Sequence, residues 1–211
     1  MDIGKQLLQC LKYENSSTKI EELDERGLLE QIIPSIKDMK EVGKCKYHIV
    51  NAFQHSLYTL GHFESILQTE RFFPSHLKED IWNYLNSKDE SGFPTLEILK
   101  LGVFLHDIGK IILNMQDKDA LNQVRELVAN GSDVIEAERM YFGTDHAEVG
   151  AALAKKWQLP ILLTNVIKYH HTPNLASVPK ECSLVYLVDK LIQDNFNGDI
   201  NFDDRLKDLI S

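Results

Sequence analysis

Apolar residues are spaced three and four positions apart along most of this 211-residue chain. In the segment at about 47–69 they fall on one stripe of a helix: Val50, Phe53, Leu57, Leu60, Phe63 and Leu67. We find no segment with the strict apolar–polar alternation that is typical of a half-buried strand. The spacing therefore predicts an all-α fold.

Cap and breaker residues predict where the other helices begin and end. One helix is expected to run from Thr18 to about Ile32, because Thr18 and Glu21 have the spacing of a capping box. Further helices are expected at about 34–42, 76–86, 96–108, 117–129, 145–157, 160–171 and 179–193. Gly109 is expected to be the C-terminal cap of the helix at 96–108.

Length and charge limit the classes of protein that this chain can be. Its length is typical of one domain with its own core. The formal net charge of −9 disfavours extended binding to DNA or RNA, although a small phosphate could still be held by a local positive group.

The cysteines and the hydropathy of the sequence indicate the cellular compartment in which the protein is expected. Cys10, Cys45 and Cys182 form no CxxC pair, which indicates reduced thiols in a cytoplasmic protein. The N-terminus has no apolar stretch typical of a secretory signal, and no window approaches the ~18 uninterrupted apolar residues of a membrane span. We therefore expect no membrane segment.

Residues that commonly bind metals lie at the ends or on the apolar faces of five predicted helices. His106 and Asp107 directly follow the apolar run "LGVFL", and Asp189 lies within "LVYLVDKLI". A buried carboxylate is costly unless it is paired or bound to a metal. The other members of the set are His55, His146, His170 and His171. Imidazoles and carboxylates together suit Fe, Mn, Ni, Co or Zn.

Each of these residues also has an ordinary structural explanation. His55 can be a satisfied core histidine, and His146 can be an unremarkable first-turn residue. The pair at 170–171 can be a solvated helix end, which the helix dipole favours. Asp189 has the strongest individual case, because aspartate is rarely buried unpaired. All these explanations would have to hold independently, so the set as a whole favours one shared site.

The ordered series of histidines and aspartates resembles the signature of the HD superfamily of metal-dependent phosphohydrolases. The pieces "HDIGK", "HAEVGA" and "YHHTP" carry the resemblance, which covers roughly residues 20–195. Within the superfamily, "ERGLLEQIIPSIKDMKEV" and "KYHIVNAFQHSL" are similar to the HD portion of bacterial tRNA nucleotidyltransferases. We expect no nucleotidyltransferase head in a sequence of this length, so CCA addition is not implied.

The resemblance implies one HD domain over residues 1–211, a compact helical bundle around a metal site with short helical extensions at both ends. It also implies two groups of metal ligands that share one aspartate. The first group would be His55, His106, Asp107 and Asp189, and the second would be Asp107, His146 and His170, with His171 as a further candidate. Asn51 stands where three-metal relatives carry a glutamate, so we expect one or two divalent ions.

The expected activity is hydrolysis of a phosphomonoester or phosphodiester in a small substrate, such as a nucleotide or a terminal or cyclic phosphate. Asp107 would orient or deprotonate the nucleophile, Lys110 would contact a phosphate oxygen, and His48 could touch the substrate. Lys110 can equally be a solvated lysine. An alternative is a non-catalytic HD module that binds metal or nucleotide and regulates a partner. The sequence leaves the substrate, the metal and the oligomeric state open.

The first prediction concerns metal content. Protein purified without chelator and incubated with Mn, Fe, Ni or Co is expected to hold one or two equivalents of metal by elemental analysis. His106→Ala and Asp107→Ala should each lose it, because each removes a proposed ligand. A folded wild-type protein that takes up none of these metals would contradict the prediction.

Overall fold

The structure is a computed structural model that describes residue 7 and residues 9–42, 51–69, 74–90 and 92–197. Within these residues the chain forms helices and no strand, with one isolated bridge between Lys88 and Pro94. The prediction of an all-α fold is confirmed. His48 and Cys45 lie outside the described residues, so the predicted substrate contact of His48 stays a prediction.

Five helices of the N-terminal half lie wholly within the described residues. They are α1 (Ser16–Glu25), α2 (Leu29–Ile32), α3 (Ile36–Glu41), α4 (Ala52–Gln68) and α5 (Lys78–Asn86). Helix α4 has the predicted apolar stripe, and its buried residues include Phe53, Leu57, Leu60, Phe63 and Leu67. It packs against α1 and α3.

The prediction of one helix from Thr18 to Ile32 is wrong in two respects. Gly27 has a φ of +65°, and the chain breaks there into α1 and α2. No side chain within α1 caps its start. Glu64 of α4 does this instead: its carboxylate accepts from the Ser16 N–H at 2.5 Å and the Ser17 N–H at 3.3 Å. Long-range contact therefore replaces the local capping box.

The second half contains the helices that carry most of the candidate site. They are α6 (Thr95–Leu105), α7 (Gly109–Gln116), α8 (Lys118–Ala129), α9 (Val134–Phe142), α10 (His146–Lys156), α11 (Ile161–Tyr169) and α12 (Pro179–Asn197), with a 3-10 turn at Pro173–Leu175 between the last two. Helices α7 and α9 were not predicted. Helix α6 packs against α4, α11 and α12, and α10 packs against α7 and α11.

Gly109 begins helix α7 and does not cap α6, so the predicted role of this glycine is wrong. Residues 106–108 form a turn between α6 and α7, and Gly109 lies directly against the start of α10. A Cβ on Gly109 would lie 1.9 Å from the carbonyl oxygen of His146 and 2.7 Å from the backbone nitrogen of Gly150. The absent side chain lets the backbones of α7 and α10 meet.

The core is a cluster of buried apolar side chains drawn from both halves of the chain. Phe53 of α4 and Phe104 of α6 meet edge to face, with ring centroids 6.1 Å apart. Among the described residues, no helix is both long and apolar enough to cross a membrane.

The second prediction concerns Gly109 and uses Gly61 as its matched control. Gly109→Ala should lower the free energy of unfolding by about 3 kcal/mol or more, because its Cβ would strike backbone atoms that cannot move aside cheaply. Gly61 lies within α4, and Gly61→Ala places its Cβ 3.5 Å from Ser17 Oγ, which is an ordinary van der Waals distance. It should raise stability by up to about 1 kcal/mol through helix propensity. Urea denaturation measures both, and equal effects would contradict the close approach.

Candidate metal centre

Five segments bring seven histidines and aspartates together in two adjoining clusters. The first cluster contains His55, His106 and Asp189, and the second contains Asp107, His146, His170 and His171. In each cluster the potential ligand atoms lie within 4.8 Å of one another. All seven residues are at least partly buried. The structure therefore assembles the predicted set of side chains, and each cluster could hold a metal ion.

Asp107 lies between the two clusters and faces both. Its Oδ2 atom is 3.5 Å from His106 Nε2 and 3.7 Å from His55 Nε2. Its Oδ1 atom is 3.3 Å from His146 Nε2 and 3.9 Å from His170 Nε2. A carboxylate in this position could contact an ion in either cluster, which is the role that the resemblance to the HD superfamily implies for Asp107.

Asp189 completes the first cluster from the middle of α12. Its Oδ1 atom is 3.1 Å from His55 Nε2 and 3.5 Å from His106 Nε2, and its side chain is buried. Burial alone would raise the pKa of Asp189, but the nearby rings of His106 and His55 outweigh it and hold the pKa well below its usual value. This carboxyl group therefore stays ionised inside the protein.

Backbone carbonyls fix the orientation of two buried imidazoles. His106 Nδ1 donates to the Val103 carbonyl at 2.7 Å, and His170 Nδ1 donates to the Ile167 carbonyl at 2.7 Å. In the neutral ring the other nitrogen, Nε2, then carries a lone pair. Both Nε2 atoms point toward Asp107. Lone pairs and carboxylate oxygens thus converge on the same space, which is an arrangement that attracts a cation.

Two buried atoms at this convergence have no hydrogen-bond partner within the described part of the chain. They are His106 Nε2 and Asp107 Oδ1. Unpaired buried polar atoms are rare in native proteins and call for a ligand, a water or an ion. A divalent cation would satisfy both. The donor set of neutral imidazoles and ionised carboxylates therefore fits a transition metal.

The charge states of His170 and His171 agree with this donor set. Burial, together with the nearby imidazoles, lowers the pKa of His170 well below its usual value and that of His171 to about 3. Both rings therefore stay neutral, which is the form that binds metals. Burial would also lower the pKa of His106, but Asp107 and Asp189 raise it, so a proton can take the place of the cation there.

Lys110 pairs with Asp107 on the side of the first cluster. Its Nζ atom is 2.7 Å from Asp107 Oδ2, and its side chain is about one quarter exposed. Burial raises the pKa of Asp107, but Lys110 and then the surrounding histidines reverse this and hold it well below its usual value. The ammonium therefore stands at the edge of the site, beside the shared carboxylate.

His171 lies beside His146, and its place in the second cluster comes from the turn that ends α11. The two Nε2 atoms are 3.0 Å apart, and the rings meet edge to face. His170 Nε2 is 3.4 Å from His146 Nε2. Both members of the pair at 170–171 thus face the same space.

Asn51 and Glu138 have roles other than that of a metal ligand. Asn51 caps α4: its side chain accepts from the Gln54 N–H at 2.8 Å. Glu138 of α9 is buried and accepts from the ring of His146 at 2.6 Å, a contact that the sequence analysis missed. A signal was present, because Ile135 and Glu138 lie three residues apart and so share the buried face of a helix.

The fold is a helical bundle that is consistent with the HD type, and part of the chain also matches a known family. Residues 85–173 match the HDOD domain family. This segment contains His106, Asp107, His146 and the pair at 170–171, but it leaves out His55 and Asp189. A protein of Treponema pallidum (strain Nichols) that is described as uncharacterized is 34% identical over 80 residues, which are 36% of this chain and 15% of that protein.

Two solved structures share the fold. An HDOD domain protein of unknown function from Geobacter sulfurreducens aligns with 78% of this chain and 49% of its own, with a TM-score of 0.51 and 23% identity. A protein from Shewanella amazonensis SB2B, provisionally named a phosphohydrolase, aligns with 98% of this chain and 81% of its own, with a TM-score of 0.53 and 20% identity. These comparisons do not show the resemblance to tRNA nucleotidyltransferases.

The third prediction tests Asp189 within the first cluster. Asp189→Asn should weaken metal binding, because it removes a negative charge beside His55 and His106, while the helical content by circular dichroism stays near that of the wild type. Asp80→Asn, on the exposed face of α5, is the matched control and should change neither quantity. Unchanged metal affinity in Asp189→Asn would remove this residue from the site.

Proposed function

We propose that the protein is a metal-dependent phosphohydrolase that cleaves a phosphate ester in a small substrate such as a nucleotide. The observation that carries this proposal is the convergence of imidazole lone pairs and carboxylate oxygens on Asp107, with two buried atoms, Asp107 Oδ1 and His106 Nε2, left without a partner in the described residues. The name of the Shewanella protein supports the same class of reaction.

Each of the two clusters would bind one metal ion. One ion would be held by the first cluster, His55, His106 and Asp189, together with Asp107, whose Oδ2 atom faces it. The other ion would be held by the second cluster, Asp107, His146, His170 and His171. The chemistry that two divalent ions supply in such a site is Lewis acidity, which lowers the pKa of water and neutralises charge on phosphoryl oxygens. The set of ligands is compatible with Fe, Mn, Ni, Co or Zn.

Asp107 would orient the attacking water with a carboxylate oxygen. It is a poor proton acceptor, because neighbouring positive groups hold its pKa well below the ordinary range. We therefore favour an orienting role for Asp107 over a role as the general base.

Lys110 is the cationic side chain that contacts the shared carboxylate, and it would turn from Asp107 to a phosphate oxygen when substrate binds. Its partial exposure allows this movement. An ammonium beside the phosphate would stabilise negative charge that develops during hydrolysis.

A small substrate fits the charge of the chain. The net charge of −9 repels a long polyanion, so binding should depend on local contacts in the site. Few counterions would then be released, and the dependence of binding on salt should be shallow.

The fourth prediction is kinetic. Metal-loaded protein is screened against p-nitrophenyl phosphate, bis-p-nitrophenyl phosphate, mononucleotides and 2′,3′-cyclic nucleotides. Lys110→Ala should raise KM or lower kcat by about tenfold or more while metal content is kept, because it removes a phosphate contact and no ligand. Asp107→Asn should abolish turnover. Lys156→Ala, on the exposed end of α10, is the matched control and should behave as the wild type.

Two other outcomes would favour a binding module over an enzyme. Tight binding of long RNA with a steep salt dependence, and no turnover of any small phosphoester with any of the metals, would contradict the proposed activity. Metal or nucleotide binding without turnover would instead favour the regulatory module.

A further inference from the structure

Glu138 makes two contacts with one residue of the candidate metal centre. It lies in α9, its side chain is 2% exposed, and its Oε2 atom accepts from His146 twice. The backbone N–H of His146 donates at 2.8 Å, and the ring Nδ1 donates at 2.6 Å. A carboxylate on one helix thus holds the first residue of the next helix.

The position of His146 explains why this contact is needed. His106 and His170 each stand just past the end of a helix, and each donates its Nδ1–H to the carbonyl three residues earlier in that helix. His146 is the first residue of α10, so no preceding turn of the same helix offers such a carbonyl. An acceptor must come from elsewhere in the fold, and Glu138 supplies it.

We infer that Glu138 is a positioning residue, which keeps His146 in the Nδ1–H tautomer with Nε2 directed at Asp107 and strengthens that ring as a metal ligand. The inference rests on the proposed metal role of the site. A carboxylate acceptor forms a stronger hydrogen bond than a backbone carbonyl and makes the ring a stronger metal ligand. Among the candidate ligands, three histidines are oriented through Nδ1 in this way, and His146 is the one whose partner is charged.

The two clusters are consequently expected to differ in their affinity for the first ion. The second cluster has the Glu138–His146 pair and faces Asp107 Oδ1, which has no hydrogen-bond partner in the described residues. The first cluster faces Asp107 Oδ2, which Lys110 already contacts at 2.7 Å. The first ion to bind is therefore expected at His146, and Glu138 acts on that binding step.

A purely structural role for Glu138 is the competing explanation, because the same oxygen also accepts from the backbone at the start of α10. Two substitutions separate the roles. Glu138→Gln keeps one oxygen that can accept both N–H groups and removes the charge, whereas Glu138→Ala removes the acceptor altogether. Glu136→Gln lies two residues away on the exposed side of α9 and is the matched control.

The experiment has one measurement without metal and one with it. In the metal-free protein, ¹⁵N chemical shifts of the imidazoles report the tautomer of His146. Calorimetric titration with Co²⁺ or Ni²⁺ then reports the affinity for each ion. Glu138→Gln should keep the Nδ1–H tautomer of His146. It should lower the affinity for the first ion by about 10- to 100-fold, which is the usual effect of changing the hydrogen-bond partner of a metal-binding histidine.

Glu138→Ala should lose the preference for that tautomer and bind the first ion more weakly still, and Glu136→Gln should match the wild type. A Glu138→Gln titration that matches the wild type would overturn the inference, and so would an unchanged tautomer with unchanged affinity in Glu138→Ala. Neither measurement needs turnover. A protein that binds metal but hydrolyses no phosphoester would therefore contradict the proposed function and leave the inference to be decided by the titration.

Discussion

The buried carboxylate of Asp107 is the group on which the arrangement of the surrounding helices depends. Its side chain is 4% exposed, and its two oxygens face imidazoles contributed by four separate segments of the chain. An uncompensated charge at this depth would cost several kcal/mol. Lys110 compensates part of this charge, and a cation bound by the imidazole nitrogens would compensate the rest. The packing that builds the core therefore also builds the site.

Three glycines allow the helices to come close enough for this. A Cβ on Gly102 of α6 would lie 2.8 Å from Val166 of α11. A Cβ on Gly150 of α10 would lie 2.9 Å from Ile167, which is also in α11. Gly109 brings α7 against the start of α10. These three contacts join the helices that end or begin at the candidate ligands, so close backbone packing and the geometry of the site have a common cause.

Local patterns predicted a large part of this molecule. The apolar stripe of α4 could be identified because packing of a helix face requires apolar residues three and four apart. The candidate ligands could be identified because buried polar side chains at helix ends are unusual. Gly109 was misassigned, since a glycine that ends a helix and a glycine that permits a close crossing look the same in sequence. The start of α1 was misassigned because its cap, Glu64, comes from another helix.

The sequence by itself determined the helical class and the order of the histidines and aspartates, because both follow from residue type and short-range spacing. Only the tertiary structure decided that the candidate ligands lie close together in two adjoining clusters with Asp107 between them, and that Lys110 contacts one oxygen of Asp107. It also decided which nitrogen of His146 faces the site, because the partner that orients this ring, Glu138, stands on a different helix. A hydrogen bond between helices depends on how they pack, and spacing along the chain carries no record of that contact.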